Sequence, residues 1–453
     1  MRLLRTQHRK PRGFLLAAGV VALASVVRAS AYLVVGYYPS WVQSTFPPRS
    51  IDFANLTQVV HAFAWPNADG SIASYSDFDP IGFVGAVHAA GRMAILSFGG
   101  WGQSDGFSPM AADPSRRARF VAAVSSLCQT YGYDGVDVDW EYPTPADRAH
   151  LTTLIKELRQ ALAGLTPPRL LSMAVPAGSW SGSRYDFVAL APHVDWLGCM
   201  TYDFHGSWTA HAGHNAPLYA SGGDQCGSVH EAVTYLLSLG LPREKILVGV
   251  PFYGRQFNAA RLYGPSTGGA EVWYSDAVAH LLAGWAYHWD DAAKVPYITN
   301  PSGTLLLSFD DTVSVALKCE YLKAQRLGGA MMWALGQDVI SGRQVLLATV
   351  GHHLIGSSAV ATAPQRPVQV LLRIYPDPCN EAATVLYTLA QPGSVRMQLF
   401  DMCGRLAWDW ELGQEQEGEH QLAMNLGGLA SGLYVCRLHT PSGVAQSKLI
   451  IMR

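Results

Sequence analysis

Residues 134–143 read Asp-Gly-Val-Asp-Val-Asp-Trp-Glu-Tyr-Pro, placing four acids within eight positions. The stretch otherwise has the alternation of a strand, with Val136, Val138 and Trp140 set against Asp137, Asp139 and Glu141. Successive side chains of a strand point to opposite faces, so Asp137, Asp139 and Glu141 share one face at intervals of about 6–7 Å. Three like charges in a row repel one another, and a strand chosen for stability alone would not carry them. They make sense as a proton-sharing set in which the last carboxyl, Glu141, is held protonated as an acid. A charged edge strand would mix Lys with Glu instead of collecting three acids on one side. A site for Ca²⁺ or Mg²⁺ would suit carboxylates, but the calcium loop of an EF-hand needs a flexible, glycine-punctuated turn, not an apolar-interleaved strand. Asp134 is out of register with the other three, and a structural role at the strand start fits it as well as a chemical one.

Such a row needs a rigid frame. Eight short apolar segments read as strands: Leu33–Tyr37, Val59–Ala64, Met93–Phe98, Gly135–Trp140, Leu170–Val175, Trp196–Thr201, Ile246–Pro251 and Gly329–Trp333. Segments of helical spacing lie between them, clearest at Leu151, Leu154, Ile155, Leu158 and Leu162 and at Phe120, Val121, Val124 and Leu127. Apolar strands alternating with helices imply an α/β protein with parallel strands covered by helices, and eight such units imply a (β/α)8 TIM barrel. In that fold the site forms at the C-terminal strand ends. Ser97, Asp139, Glu141, Tyr202, Asp203, Tyr253, Arg255 and Trp333 all fall there. The long gap before the eighth strand holds short strand patterns at Val272–Tyr274, Tyr297–Ile298 and Leu305–Phe309. It predicts a small α+β insertion at about 256–326, walling one side of a cleft.

The expected organisation is a signal peptide at 1–31, a barrel at 32–355, a linker at 356–370 and an all-β sandwich at 371–453. Arg2, Arg5, Arg9, Lys10 and Arg12 precede an apolar run from Phe14 to Val27 and then Ala29-Ser30-Ala31, the layout of a secretory signal. The run is short for a transmembrane span, and no other segment could cross a bilayer. Residues 355–370 are rich in small residues and proline. Six strand patterns follow at about ten-residue spacing: Val385–Leu389, Val395–Phe400, Leu406–Trp410, His420–Met424, Leu433–Leu438 and Lys448–Met452.

The apolar fraction of 49% allows a large core, and a net charge of −2 without a basic patch argues against a nucleic-acid partner. Thirteen Trp and twenty Tyr provide flat faces on which sugar rings could stack, although most must serve the core. The seven Cys show no metal-ligand spacing, and an odd number precludes full intramolecular pairing. Cys128, Cys199 and Cys319 are expected to be buried thiols. One disulfide among Cys379, Cys403 and Cys436 is compatible with the sequence. His205 suggests nothing beyond shaping its loop, and Cys226 suggests no function.

With these motifs placed, residues 32–350 resemble glycoside hydrolase family 18, the chitinases. Asp134, Asp137, Asp139 and Glu141 match its acid signature at spacings of three, two and two. Ser97-Phe-Gly-Gly-Trp101, Met200-Thr-Tyr-Asp203 through Trp208, Asn215-Ala-Pro-Leu-Tyr219, Gly249-Val-Pro-Phe-Tyr253-Gly-Arg255 and Gly328 through Trp333 resemble motifs of the third, sixth, seventh and eighth strands. The insertion, with Trp289-Asp-Asp291 and Phe309-Asp-Asp311, resembles that of the bacterial-type subgroup. The resemblance implies a retaining mechanism in which the substrate's own acetamide is the nucleophile. Glu141 would protonate the glycosidic oxygen, Asp139 would orient the acetamide, Asp137 would share a proton with Asp139, and Tyr202 would bind the acetamide carbonyl. Asp203 would help hold the distorted sugar above Trp333. Trp101 and Trp208 would stack further sugars, Tyr37 and Ser97 would support the acids, and Met200, Tyr253 and Arg255 would line the cleft.

No cofactor and no metal is implied. The expected partner is chitin or chitooligosaccharides, and the protein is expected to be a monomer. An endo-β-N-acetylglucosaminidase or a peptidoglycan hydrolase would use the same acetamide chemistry. An inactive sugar-binding relative would have lost the acid that Glu141 retains.

The C-terminal segment resembles the sorting domain of the type IX (Por) secretion system of the Bacteroidetes group. Tyr375-Pro-Asp-Pro378, Phe400-Asp-Met-Cys-Gly404-Arg, Gly428-Leu-Ala-Ser-Gly432-Leu-Tyr434 and the ending Lys448–Arg453 carry that resemblance. It implies contact with secretion machinery and a secreted or cell-surface-attached protein.

Overall fold

Apolar runs bounded by glycine and proline dominate the first two-thirds of the chain, and they pair as a closed parallel sheet. The computed structural model describes residues 32–222, 224, 226–356, 372–375, 379–380, 382–389, 391–401, 406–440 and 443–452. The expected signal peptide, nearly all of the linker, and Cys403 lie outside these residues.

The barrel strands are β1 (Leu33–Pro39), β2 (Gln58–Pro66), β3 (Met93–Gly99), β4 (Gly135–Asp139), β5 (Leu170–Pro176), β6 (Trp196–Met200), β7 (Ile246–Pro251) and β8 (Gly329–Trp333). Each pairs in parallel with the next, and β8 pairs with β1 to close the ring. All eight strands expected from the sequence are present. Alternation divides their side chains between two cores. Val34, Val59, Leu96, Val136, Val138 and Leu171 pack outward under the helices, whereas Val35, Val60, Ile95, Trp196, Leu247 and Met331 fill the interior. Barrel helices are Pro80–Ala89, Pro114–Tyr131, Arg148–Ala163, Phe187–Leu190, Val229–Ser238, Thr312–Ala324 and Val345–Ile355. Between β1 and β2 the chain makes three 3₁₀ turns in place of an α-helix.

The local signals for these helices are explicit. Asp113 caps Pro114–Tyr131 by accepting from the Ser115 and Arg116 amides, with proline at the first position and Gly132 in left-handed conformation at the end. Leu151, Leu154, Ile155, Leu158 and Leu162 form the buried stripe of the next helix.

Between β7 and β8 lies an antiparallel sheet with spatial order Gly269–Trp273, Tyr253–Phe257, Leu306–Ser308, Val295–Thr299, Ala286–Asp290, together with the helix Tyr274–Leu282. Tyr253 and Arg255 sit on this sheet and not on β7, which ends at Pro251. Tyr274, expected in a strand, opens the helix.

The C-terminal segment forms two antiparallel sheets, Arg373–Tyr375, Ala382–Leu389, Gly418–Asn425 and Leu406–Glu415, Gly393–Asp401, Gly432–Thr440, Gly443–Ile451, each in spatial order. The six expected strands are among them. Val385, Tyr387 and Met424 from one sheet and Met397, Leu399, Cys436 and Leu449 from the other share a single core. Among the described residues, no helix is long and apolar enough to cross a membrane.

Candidate active site

Register builds the acid row. Parallel pairing sets Ser97 of β3 and Ser172 of β5 directly beside Asp137 of β4. Asp137 is wholly buried and accepts three hydroxyl bonds: from Tyr37 at 2.9 Å, Ser97 at 2.8 Å and Ser172 at 2.7 Å. Burial raises its pKa, and the three hydroxyls oppose that shift. Asp139, one pleat further along, is buried with its Oδ1 lacking a partner. Burial, then the charges of Glu141 and Asp137, push its pKa well above the carboxylate range. Of the two aspartates, Asp139 is the one whose neutral form the surroundings favour more strongly.

Glu141 lies just beyond the strand. Trp140 stacks on Phe107 at 4.9 Å and its carbonyl accepts from the Tyr185 hydroxyl at 2.8 Å, which turns the chain and pins Glu141. Its amide donates to Ser104 Oγ at 2.9 Å. Burial raises the carboxyl to a pKa of about 7, with the Asp203 charge adding to the rise, while hydrogen bonds from the Tyr142 hydroxyl and the Trp101 amide oppose it. The loop after β3 comes close enough to supply that amide because Gly99 and Gly100 adopt φ of +113° and +87°. A Cβ on Gly99 would sit 2.0 Å from the Asp139 carbonyl oxygen.

The end of β6 and the loop after it, the insertion and the end of β8 form the other wall. Tyr202 meets Tyr253 edge to face at 6.0 Å, and its hydroxyl stays protonated because burial and the nearby Asp139 and Glu141 disfavour a further negative charge. Met200 lines the barrel interior beside it. Asp203, at φ +59°, accepts from Arg255 Nε at 2.7 Å, and Glu271 Oε2 lies 3.5 Å from the same guanidinium. Arg255 lies 5.1 Å from both the Trp208 and the Tyr253 ring centroids. Trp333 stacks on Phe63 at 5.5 Å and touches Tyr37 and Trp41 at 6.0 and 6.2 Å. An aromatic wall continues from Trp41 through Tyr75 to Trp65. Trp101 is 79% exposed and Trp208 is 60% exposed.

Residues 33–338 match the model of glycosyl hydrolases family 18, about two-thirds of the chain. The chain belongs to this family. Residues 373–452 match a secretion system C-terminal sorting domain. Chitinase A1 of Niallia circulans is 29% identical over 405 residues, covering 70% of this chain and 58% of its own length. A probable endochitinase of Caenorhabditis elegans is 33% identical over 378 residues, covering 74% and 61%. The chain thus spans about three-fifths of these two relatives. The Ostrinia furnacalis Group IV chitinase solved with allosamidin superposes with a TM-score of 0.68 at 32% identity, covering 72% of this chain and 100% of that one.

Within this family 18 barrel, several sequence motifs turn out to hold structure. Asp134 binds the Ala94 amide and His88, each at 2.8 Å, away from the row. Asp290 accepts from His214, Ser221 and the Ala292 and Ala293 amides. Asp310 pairs with buried Lys318 at 2.6 Å, and Asp311 caps the helix Thr312–Ala324. Tyr37 points into the barrel, while Tyr38 points outward to the Phe46 carbonyl. The sequence reading missed Ser172, Ser104, Tyr142, Tyr185, Glu271 and Trp41. Ser172 alone had a local signal, as the polar residue in the otherwise apolar fifth strand.

Proposed function

We propose that the protein is a secreted chitinase that hydrolyses β-1,4 bonds between N-acetylglucosamine units with retention, the substrate's acetamide acting as nucleophile. The observation that carries this reading is the division of labour within the acid row. Asp137 accepts from three hydroxyl donors, Asp139 has a raised pKa and an orphaned Oδ1, and Glu141 holds its proton up to about pH 7. A buried acceptor without a donor costs about 1–3 kcal/mol, which a ligand N–H at that atom would recover.

Glu141 donates its proton to the glycosidic oxygen as the bond to C1 breaks. The acetamide oxygen closes on C1 from within the same sugar, so proximity favours the step. The ring that forms is cationic, and Asp139 holds its N–H through Oδ1. Water then attacks C1 and gives its proton back to Glu141. Two inversions at C1 leave net retention. Tyr202 donates to the acetamide oxygen. Trp333, backed by Phe63, is the floor under the sugar, and Asp203 and Arg255 hold its rim. Exposed Trp101 serves as a stacking platform. Trp208 offers one, with Arg255 already on its ring.

Residues 32–355 are the catalytic unit in this reading. Residues 371–453 address the chain to secretion machinery, which places the enzyme outside the cell or on its surface. NMR of chitin hexasaccharide mixed with the purified protein should show β-anomer products first. Initial α-anomers would remove the acetamide mechanism, and no cleavage by folded protein would remove chitin as the substrate.

A further inference from the structure

The loop from β6 to the helix Val229–Ser238 carries a second cluster of reactive side chains that the acid row does not use. His205, His211, Asp224 and Cys226 each direct one ligand atom to a common point, all within 4.8 Å of one another. His205 Nε2 lies 3.1 Å from His211 Nε2 and 3.2 Å from Asp224 Oδ2, and His211 Nε2 lies 3.7 Å from Asp224 Oδ1. We propose that these four residues bind a zinc ion that clips this loop closed.

The three histidine and aspartate distances lie close to those around that ion, and the cluster needs only a small contraction to close on it. Tetrahedral zinc with bonds of about 2.0–2.1 Å to nitrogen and about 2.3 Å to sulfur holds its ligand atoms roughly 3.3–3.6 Å apart. Two imidazoles, a thiolate and a carboxylate suit zinc better than calcium or magnesium, which take oxygen ligands. Binding expels the Cys226 proton, so thiolate and Asp224 carboxylate together balance the two positive charges. That neutrality suits His205, whose side chain is wholly buried.

The tautomer is prepared as well. His205 Nδ1 lies 3.0 Å from the His214 carbonyl oxygen, so Nδ1 carries the hydrogen and Nε2 presents a lone pair to the cluster. Two imidazole Nε2 atoms and a carboxylate thus converge, with His211 at the accessible edge and the His205 side chain wholly buried. Gly213 lets the loop close on this imidazole, because a Cβ there would lie 2.4 Å from the ring. Four protein ligands fill a tetrahedron, so the site is structural and leaves no position for substrate. The clipped loop also carries Asp203, Trp208 and Asn215. Asn215 joins the Asp203 amide to the Tyr253 carbonyl.

The test uses the full, untagged chain, reduced with a phosphine, stripped with EDTA and dialysed against zinc chloride. Mass spectrometry of the metal content should find one zinc per chain. Cobalt chloride in its place should give the intense visible bands of a tetrahedral ion and a thiolate charge-transfer band. Cys226→Ser and His211→Ala lie at the accessible edge of the cluster and outside the acid row. Each should reduce bound zinc to under a tenth of an equivalent with unchanged circular dichroism, and the serine variant should lose the charge-transfer band. Zinc should raise the melting temperature of the parent protein and leave both variants unmoved. A folded parent that retains no zinc would overturn the proposal, as would one equivalent retained in both variants.

Discussion

Glu141 and its two aspartate neighbours differ in their donors: three hydroxyls reach Asp137, none reaches Asp139 Oδ1, and Glu141 has the Tyr142 hydroxyl and the Trp101 amide. Burial favours the neutral form of every carboxyl, and the three hydroxyl donors to Asp137 oppose that rise without cancelling it. Replacing Glu141 with Gln keeps the shape and removes the proton, so kcat should fall by at least about 10²–10⁴-fold while oligosaccharide affinity, measured by calorimetry, stays within a few-fold. In the parent protein, kcat/KM should decline as pH rises through about 7, where Glu141 of the free enzyme loses the proton that the proposed mechanism requires. The same shift affects stability. A carboxyl with a raised pKa in the folded state contributes stability that is full below its unfolded pKa and is lost as pH rises through about 7. Gln does not titrate, so the melting temperature of the variant relative to the parent should climb between about pH 4.5 and 7 and level off above. A constant difference across that range would place Glu141 in contact with water.

The row depends on elements that no single residue specifies. Parallel register places two serines beside Asp137, and Gly99 and Gly100 at the end of β3 let the following loop approach the carbonyl of Asp139. Gly99→Ala tests the second device. Its φ of +113° is unfavourable for any residue with a Cβ, and the nearest backbone atom would be 2.0 Å away. Urea denaturation should register a loss of about 2–3 kcal/mol, and kcat should drop because the Trp101 amide moves away from Glu141. The insertion works at the same scale. It takes Tyr253 and Arg255 off the barrel and sets Arg255 between Asp203 and Glu271, so the insertion's sheet is tied to the loop after β6.

At the scale of the whole chain, the barrel and the C-terminal sandwich have separate hydrophobic cores. Catalysis and export should therefore separate. Deleting residues 356–453 should leave kcat and KM on soluble chitooligosaccharides within twofold, and in the native host the truncated chain should remain inside the cell, as fractionation and immunoblotting would show. Loss of hydrolysis by the folded truncation would mean that the sandwich completes the enzyme.

Much of this was legible in one dimension, because strand and helix periods and motif spacing are local properties of the chain. The eight strands, the helices after β3 and β4 and the identity of the acid row follow from alternation, helical spacing and four acids at fixed intervals. Tertiary structure decided what local pattern leaves open. It resolved Tyr37 against Tyr38, since adjacent strand residues face opposite sides and only packing says which side is the barrel interior. It assigned Asp134 and the acids of the insertion to structure, because their partners lie in distant segments. It also brought His205, His211, Asp224 and Cys226 together from positions whose spacing matches no metal motif. Spacing along the chain records only contacts made by regular elements, and an irregular loop can fold four such residues onto one point without leaving a period to read.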